Sequence, residues 1–160
     1  MNAVAVRPLA EGDRPWLSEF VAEHWGGPVV VGGGRVHRLD VLPGFVAMDG
    51  GRRVGVLTYA IDGSDCEIVT IDAIEEGRGI GTALIQQLAE HAAAAGCRRL
   101  HLITTNDNLR AIRFYQRRGF RLIAVRVNAL AESRRIKPSI PEVGMHGIPL
   151  RDELVFERPL

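Results

Sequence analysis

The stretch that decides the fold runs from Glu67 to Ile85 and reads EIVTIDAIEEGRGIGTALI. It predicts a β-strand over residues 67–71 that leads into three alternating glycines, Gly77, Gly79 and Gly81, within which a helix begins. The first turn of a helix leaves N–H groups without acceptors inside the helix and carries a partial positive charge. Because glycine has no Cβ, an anion can come close to the main chain there. The stretch therefore predicts an anion-binding turn between a strand and a helix.

Two common nucleotide motifs fit this turn poorly. A dinucleotide-binding fingerprint requires Gly-x-Gly-x-x-Gly, but the chain has Thr82 at the third glycine position. A P-loop requires Gly-Lys followed by Ser or Thr, and the only lysine in the chain is Lys137. When the glycines are considered alone, a tight turn that binds no ligand remains an equal alternative.

A second patterned stretch covers residues 104–120 and reads TTNDNLRAIRFYQRRGF. Asn108, Ala111 and Tyr115 are separated by three and four residues, so they share one face of a helix that Gly119 ends. For an isolated helix, this pattern favours a purely structural role, with the tyrosine ring in a hydrophobic core.

The rest of the chain predicts alternating strands and helices, which indicates an α/β fold with a mixed sheet. Three strands separated by turn residues should form an antiparallel meander. The predicted elements are a weak edge strand at 4–6, a helix capped by Asp13 with Pro15 in its first turn, an irregular hairpin around 32–34, meander strands at 45–48, 54–61 and 67–71, a helix over 79–95, a strand at 100–104 parallel to the strand before that helix, a helix over 108–118, a strand at 120–127, a short helix at 129–135, a proline-rich loop and a last strand at 154–156.

Bulk properties exclude several classes of protein. The 160 residues suit one domain, and a formal net charge of +1 gives no reason to expect nucleic acid or an anionic membrane as a partner. Cys66 and Cys97 form no CxxC pair and have no histidine at metal-ligand spacing, so we expect reduced thiols and no metal. The N-terminus does not resemble a signal peptide, and no apolar run is long enough to span a bilayer. A cytoplasmic protein is expected.

The two patterned stretches together resemble the GNAT (GCN5-related N-acetyltransferase) superfamily. The glycine turn is similar to the family's pyrophosphate loop, Arg/Gln-x-x-Gly-x-Gly/Ala, except that Glu76 occupies the Arg/Gln position. The second stretch is similar to the family's motif Asn-x-x-Ala-x-x-x-Tyr followed by Gly-Phe. The resemblance covers residues 45–127 well, and the tail at 128–160 resembles an uncharacterised bacterial branch.

This resemblance implies a fold and a co-substrate. It implies a single GNAT domain over 1–160, with a mixed central sheet, an antiparallel N-terminal meander, splayed central parallel strands and flanking helices. It implies acetyl-CoA as co-substrate, with its pyrophosphate against Gly77, Arg78, Gly79, Ile80, Gly81 and Thr82 and its pantetheine arm paired with Val69 and Ile71. Asn108 would support that arm, Ala111 would leave room for it, and Tyr115 would protonate the leaving thiolate. A phenol with a reference pKa of about 10 is a suitable acid for a thiolate of similar basicity.

Two carboxylates on or beside the strand at 67–71 are candidates for the general base. Glu67 is favoured because some relatives use a glutamate at about this place, and an exposed strand-end carboxylate is its alternative. Asp72 is a second candidate, whereas His24, His37, His101 and His146 have no predicted partner.

The implied activity is direct transfer of an acetyl group to a primary amine, without a covalent enzyme intermediate. The rival is a CoA-binding sensor or interaction module that has lost catalysis. The acceptor is expected to be a small-molecule or peptide amine, and an exposed C-terminal strand is expected to pair across a two-fold axis in a homodimer.

Overall fold

A computed structural model describes residues 3–160 of the chain. Its strands are β1 (Ala5–Pro8), β2 (Val29–Gly32), β3 (Arg35–Arg38), β4 (Gly44–Asp49), β5 (Arg52–Asp62), β6 (Asp65–Ala73), β7 (Arg99–Thr105), β8 (Arg121–Arg126) and β9 (Glu153–Pro159). Its α-helices are α1 (Arg14–Trp25), α2 (Ile80–Ala94), α3 (Leu109–Gln116) and α4 (Ala129–Ile136). Each predicted strand and helix has a counterpart, so the α/β class is confirmed. Within the described range, no helix has the length and apolar character needed to cross a membrane.

The contacts divide the chain into two compact units. Unit 1 comprises the described residues up to Val30, together with His37–Leu100 and Leu160. Unit 2 comprises Val31–Val36 and His101–Pro159. The single-domain organisation over 1–160 stays a prediction, and the two units are described separately below.

Unit 1 is built on an antiparallel meander. Its strands follow the order β1-β4-β5-β6, and each neighbouring pair is antiparallel. The β5–β6 connection turns through Gly63, whose φ of +60° suits a two-residue hairpin. The predicted meander is therefore confirmed, with β1 added beside β4.

A β-bulge in β6 changes which side chains share a face of this sheet. Thr58 registers with Thr70 and Tyr59 with Ile68, so β6 contains one extra residue, Val69, at this point. Side chains of a regular strand alternate between faces, and one extra residue reverses that alternation. The bulge matters for the site because acidic residues lie on both sides of it.

Those acidic residues are Glu67 and Asp72, which are five positions apart. Glu67 registers with Ala60 and Asp72 with Val56, and these two β5 partners are four positions apart. Both carboxylates therefore lie on the same face of the sheet, about 13 Å apart along the strand. In a regular strand they would lie on opposite faces.

Helix α1 covers this same face. Leu17, Phe20 and Val21 form a buried cluster with Leu39 and Val56, and Val56 is the β5 partner of Asp72. These α1 positions recur at helical spacing, as the sequence predicts. The helix ends at Gly26, whose φ of +69° is a left-handed conformation that glycine adopts easily.

The other face carries α2. Gly55 on β5 lies so close to this helix that an added Cβ would be 2.5 Å from Ile80 Cγ2 and 3.3 Å from Leu84 Cδ1. Only glycine permits this approach without displacement of the first turn of α2. The glycine turn that precedes α2 is thereby fixed against the meander.

Asp13 occupies the predicted cap position of α1, but its side chain does not cap the helix. The buried carboxylate instead accepts hydrogen bonds from Arg7 at 2.7 and 3.0 Å, from Arg53 Nε at 2.9 Å and from the main-chain N–H of Ala10 at 2.8 Å. The cap prediction is wrong because two charge-assisted partners outweigh one neutral N–H group. Pro15 lies in the first turn as predicted.

We expect Asp13→Asn to lower the free energy of unfolding by about 2 kcal/mol at neutral pH, since it removes charge-assisted hydrogen bonds of a buried group. The hydrogen bond from Arg7 holds the pKa of the Asp13 carboxyl well below its usual range. Its contribution is therefore complete above the unfolded carboxyl pKa of about 3.9 and is lost as the pH falls through the folded value. Urea unfolding of both proteins across this pH range measures the effect.

The matched control is Asp40→Asn, which removes a carboxylate paired with the largely exposed Arg38. An exposed pair contributes about 0–1 kcal/mol, so this variant should unfold almost like the wild type. Equal stability of the Asp13 and Asp40 variants would contradict the role given to the Asp13 cluster.

The strands of unit 2 follow the order β7-β9-β8. The C-terminal strand β9 lies between the other two and pairs antiparallel with β8, from Arg121 opposite Glu157 to Arg126 opposite Glu153. The expectation that the C-terminal strand is free to pair with a second copy is therefore wrong. The outer strand is β8, which exposes half or nearly half of the surface of Leu122, Ile123 and Val125.

Hydrogen bonds with other residues of unit 2 hold the proline-rich tail in place. The Arg134 guanidinium donates to the carbonyl groups of Ile140, Pro141 and Leu150. The buried Asp107 carboxylate accepts the main-chain N–H of Met145 at 2.8 Å. The sequence left open whether this loop is ordered, and these contacts fix both of its ends.

Candidate active site

The glycine turn of unit 1 has the conformation that its sequence predicts. Gly77 and Gly79 have φ values of +75° and +70°, and α2 begins at Ile80 with Gly79 as its N-cap. Gly79 has no side chain with which to cap the helix, and the N–H groups of the first turn lack acceptors within the helix. Such a helix N-terminus favours an anion both by hydrogen bonding and by its partial positive charge.

Space beside this turn suits a phosphate group. A Cβ added at Gly77 or at Gly79 would meet no heavy atom of the described residues within 4 Å, apart from its own chain neighbours. The side chain of Ile80 is buried in the core and Gly81 has no side chain, so neither residue has a side chain to offer a ligand. Thr82 is exposed and adds a hydroxyl group. The donors and the space together fit the pyrophosphate of a nucleotide such as CoA.

The Arg78 side chain points to carboxylates of unit 1. Its Nη1 lies 3.0 Å from Asp49 Oδ2 and 2.6 Å from Glu75 Oε2. The arginine lowers the pKa of both carboxyl groups through these hydrogen bonds. This arrangement therefore favours a contact of the pyrophosphate with the main-chain N–H of Arg78 over a contact with its side chain.

Strand β6 leads from Glu67 to the glycine turn. Val69 and Ile71, predicted to pair with the pantetheine arm, are both half-buried, and Val69 is the bulged residue. A bulge interrupts the ladder with the neighbouring strand and is frequent beside active sites. The structure thus places the irregular part of β6 at a residue that the sequence assigns to co-substrate binding.

Glu67 is buried, not exposed at a strand end. Its Oε2 lies 3.1 Å from Nε2 of His37, and Glu67 as a whole is 7% exposed. A carboxylate in this position has one oxygen held by an imidazole and a second oxygen that is available to accept a proton. His37 belongs to the same unit, on β3, although 30 positions separate the two residues in the chain.

Asp72, the second base candidate, lies further along the same face of β6. The Trp25 indole N–H donates to its Oδ2 at 2.8 Å. Burial raises the pKa of the Asp72 carboxyl, and the hydrogen bond from Trp25 opposes that shift. Asp72 is thus held by the C-terminal end of α1, whereas Glu67 is held by the hairpin strand β3.

The second motif lies in unit 2, on and before α3. Asn108 is the N-cap of α3, and its Oδ1 accepts the Ala111 N–H at 3.1 Å. Tyr115 is buried, and its ring makes edge contacts with Phe114 and Phe120 at centroid distances of 5.3 and 5.5 Å. Asn108, Ala111 and Tyr115 share one face of the helix, as their spacing predicts.

The structure therefore gathers the predicted residues into two sets. Unit 1 holds Glu67, Val69, Ile71 and the turn at 77–82, and unit 2 holds Asn108, Ala111 and Tyr115. Sequence reasoning missed the partners His37 of Glu67 and Trp25 of Asp72. No local pattern marks such contacts, because they join residues 30 and 47 positions apart.

Two further observations bear on the chemistry. Among residues 3–160, no group of three or more His, Cys, Asp or Glu side chains has the arrangement needed to hold a metal ion. Cys66 and Cys97 are free, buried thiols, and burial raises the pKa of Cys66 to about 12. A thiol with so high a pKa is a poor nucleophile at neutral pH.

Comparison with known proteins gives a consistent result. The family model described as "Acetyltransferase (GNAT) family" matches residues 11–120. The protein YdhI of Bacillus subtilis (strain 168), itself described as uncharacterized, is 50% identical over 152 residues, which cover 94% of this chain and 95% of YdhI.

Solved structures of acetyltransferases are also similar to this chain. A Bacillus subtilis acetyltransferase in complex with CoA has a TM-score of 0.72 at 19% identity and covers 99% of each chain. A GNAT family acetyltransferase from Elizabethkingia anophelis with acetyl-CoA bound has a TM-score of 0.71 at 19% identity and covers 100% of each chain. At these identities the likeness establishes a common fold.

Proposed function

Because this chain belongs to the acetyltransferase (GNAT) family, and is therefore an acyltransferase, we propose that it transfers the acetyl group of acetyl-CoA to a primary amine by direct attack. The observation that carries the proposal is the glycine turn at the start of α2. Gly77 and Gly79 adopt left-handed conformations and leave space for a phosphate beside the first N–H groups of α2.

Main-chain groups do most of the co-substrate binding in this proposal. The N–H groups from Arg78 to Thr82 bind the pyrophosphate, with Gly77 providing room at the start of the turn. Val69 and Ile71 pair with the pantetheine arm as an added strand would. Ala111 is small enough to let the arm pass, and the Asn108 side-chain NH₂ supports it, since the Asn108 Oδ1 is occupied by the α3 cap.

The chemical step requires a base and an oxyanion donor. Acetyl-CoA supplies a thioester whose carbonyl carbon the amine attacks and whose thiolate leaves, so that a C–N bond forms and a C–S bond breaks. Glu67 accepts the proton that the ammonium form of the acceptor must lose, directly or through water. A main-chain N–H near Ile71 stabilises the developing oxyanion.

Tyr115 is the proposed acid. Its hydroxyl donates a proton to the departing thiolate sulfur, so no free thiolate accumulates. The aromatic contacts with Phe114 and Phe120 fix the ring, which limits the directions in which the hydroxyl can point.

Turnover tests the proposal against the alternative of a CoA-binding sensor. The purified chain is incubated with acetyl-CoA and a panel of small-molecule and peptide amines, and released CoA is detected by a thiol reagent. We expect steady, amine-dependent CoA release that is matched by an acetylated product in mass spectrometry. Tight acetyl-CoA binding without turnover on any amine would instead favour the sensor.

We expect Glu67→Gln to lower kcat/KM by about 100-fold or more at neutral pH, because general base catalysis contributes about 10²–10⁴-fold. The loss should shrink at high pH, where more of the amine is already neutral. The matched control is Glu153→Gln, which changes another buried glutamate, in unit 2. If Glu67→Gln turns over like the wild type, Glu67 is not the base.

The proposed acceptor is a small-molecule or peptide amine, with neither nucleic acid nor a membrane as partner. A cytoplasmic location agrees with the two free cysteines, which persist in reducing compartments. If the protein forms a homodimer, the outer strand β8 is the strand with a hydrogen-bonding edge and exposed aliphatic side chains to contribute.

A further inference from the structure

His37 and Glu67 form a pair of polar side chains that are almost entirely buried. Their side chains are 11% and 9% exposed, and the Nε2–Oε2 distance is 3.1 Å. Both residues belong to unit 1. A carboxylate that is removed from water needs a hydrogen-bond donor, and the imidazole supplies one.

In strand β3 of the β2–β3 hairpin, one residue, His37, has an inward-facing side chain. Of the strand's four residues, Arg35, Val36 and Arg38 are exposed, and only His37 is not. The strand is held to the chain segment after α1 by the Leu39 N–H, which donates to the Pro28 carbonyl at 2.7 Å. If the hairpin had only a structural role, an aliphatic side chain at this inward position would avoid the free-energy cost of burying a polar ring.

The β6 bulge brings Glu67 to the histidine. Glu67 registers with Ala60 on the face where Val56 packs with α1, and β3 reaches Glu67 on that face. Without the extra residue Val69, Glu67 and Asp72 would lie on opposite faces. The pairing therefore depends on two separate features, the bulge and the hairpin.

We propose that His37 is a positioning residue for Glu67: its Nε2–H donates to Oε2, which fixes the carboxylate and leaves Oε1 to accept the proton of the acceptor amine. The inference rests on the proposed function, in which Glu67 is the general base. A neutral imidazole that donates one hydrogen bond orients a carboxylate without neutralising it, so the carboxylate keeps its capacity to accept a proton.

Two variants of His37 test the role by activity. His37→Ala should lower kcat by about 10- to 100-fold, which is the range for loss of a hydrogen bond to a charged group, and should leave acetyl-CoA affinity unchanged. His37→Gln carries an NH₂ donor near the position of Nε2 and should recover most of the lost kcat. His24→Gln is the control, since His24 is an exposed histidine that stacks on Phe20. Wild-type kcat in the alanine variant, or no recovery in the glutamine variant, overturns the proposal.

Nitrogen-15 NMR of the histidine side chains gives a readout that does not depend on turnover. At mildly alkaline pH, His37 should carry its proton on Nε2, and Glu67→Ala should abolish that preference while the protein remains folded by its melting curve. A proton on Nδ1 in the wild type overturns the proposal even if the enzyme is active. If no amine is acetylated but the Nε2–H form is found, the pair exists and the proposed function is what has failed.

Discussion

The Gly79→Val variant is expected to lose at least about 100-fold in acetyl-CoA affinity, equivalent to about 2.7 kcal/mol of binding free energy. Gly79 is the N-cap of α2, and an added Cβ would enter the space beside the first N–H groups of the helix, where no described atom outside the two neighbouring residues lies within 4 Å. A branched side chain there fills the approach that a pyrophosphate needs. Titration calorimetry of the variant with acetyl-CoA measures the loss.

Backbone strain must be separated from this effect. Gly79 has a φ of +70°, so valine there costs about 1–3 kcal/mol of stability whatever the ligand does. Gly63→Val is the matched control, because Gly63 has a φ of +60° and equally open surroundings among the described residues but lies in the β5–β6 turn. Both variants should melt at similarly lowered temperatures, and only Gly79→Val should lose acetyl-CoA. Wild-type affinity in Gly79→Val would show that the glycine turn does not bind the co-substrate.

Tyr115→Phe is expected to lower kcat by about 10²–10⁴-fold, the range that general acid catalysis contributes. The substitution keeps the ring that packs against Phe114 and Phe120 and removes only the hydroxyl. Acetyl-CoA affinity should therefore stay within a small factor of the wild-type value. Steady-state kinetics with a responsive amine, together with calorimetry, separates the two quantities.

Tyr59→Phe provides the corresponding control. Tyr59 is also a buried tyrosine, and its hydroxyl lies 3.0 Å from His91 Nε2 in unit 1. This variant should lose some stability and keep its kcat. If Tyr115→Phe also keeps its kcat, Tyr115 does not protonate the leaving group, and its spacing with Asn108 reflects helix packing alone.

Much of the fold can be predicted from local patterns. The antiparallel meander follows from apolar runs separated by Asp-Gly turns, and the start of α2 follows from the alternating glycines. These features depend on residues that are neighbours in the sequence, so the sequence carries their signal directly. The same is true of α3, where Asn108 caps the helix and Gly119 follows its end.

Other features depend on contacts between distant residues. Asp13 has the residue type and position of a helix cap, but Arg7 and Arg53 compete for its carboxylate once the meander has formed. The insertion of β9 between β7 and β8 is a matter of strand order, which periodicity does not encode. A last strand in the sequence is therefore not an edge strand in the structure.

The candidate site also combines features that local patterns mark with features that depend on contacts between distant residues. The glycine turn and the α3 motif are contiguous stretches whose function is implied by the family resemblance, whereas no local pattern marks the partners of Glu67 and Asp72. The bulge at Val69 reverses the face of every side chain beyond it, so strict alternation would place Glu67 and Asp72 on opposite faces. His37 acquires its role only because that reversal and the β2–β3 hairpin coincide.

The measurement that tests the central claim most directly is titration calorimetry of the wild-type chain with acetyl-CoA, CoA and NADH in parallel. The glycine turn, as a pyrophosphate site within an acyltransferase, predicts micromolar binding of acetyl-CoA and CoA and no binding of NADH. Binding of NADH with comparable affinity, or binding of neither CoA species, would contradict the account and leave the turn and the Tyr115 helix without the proposed role.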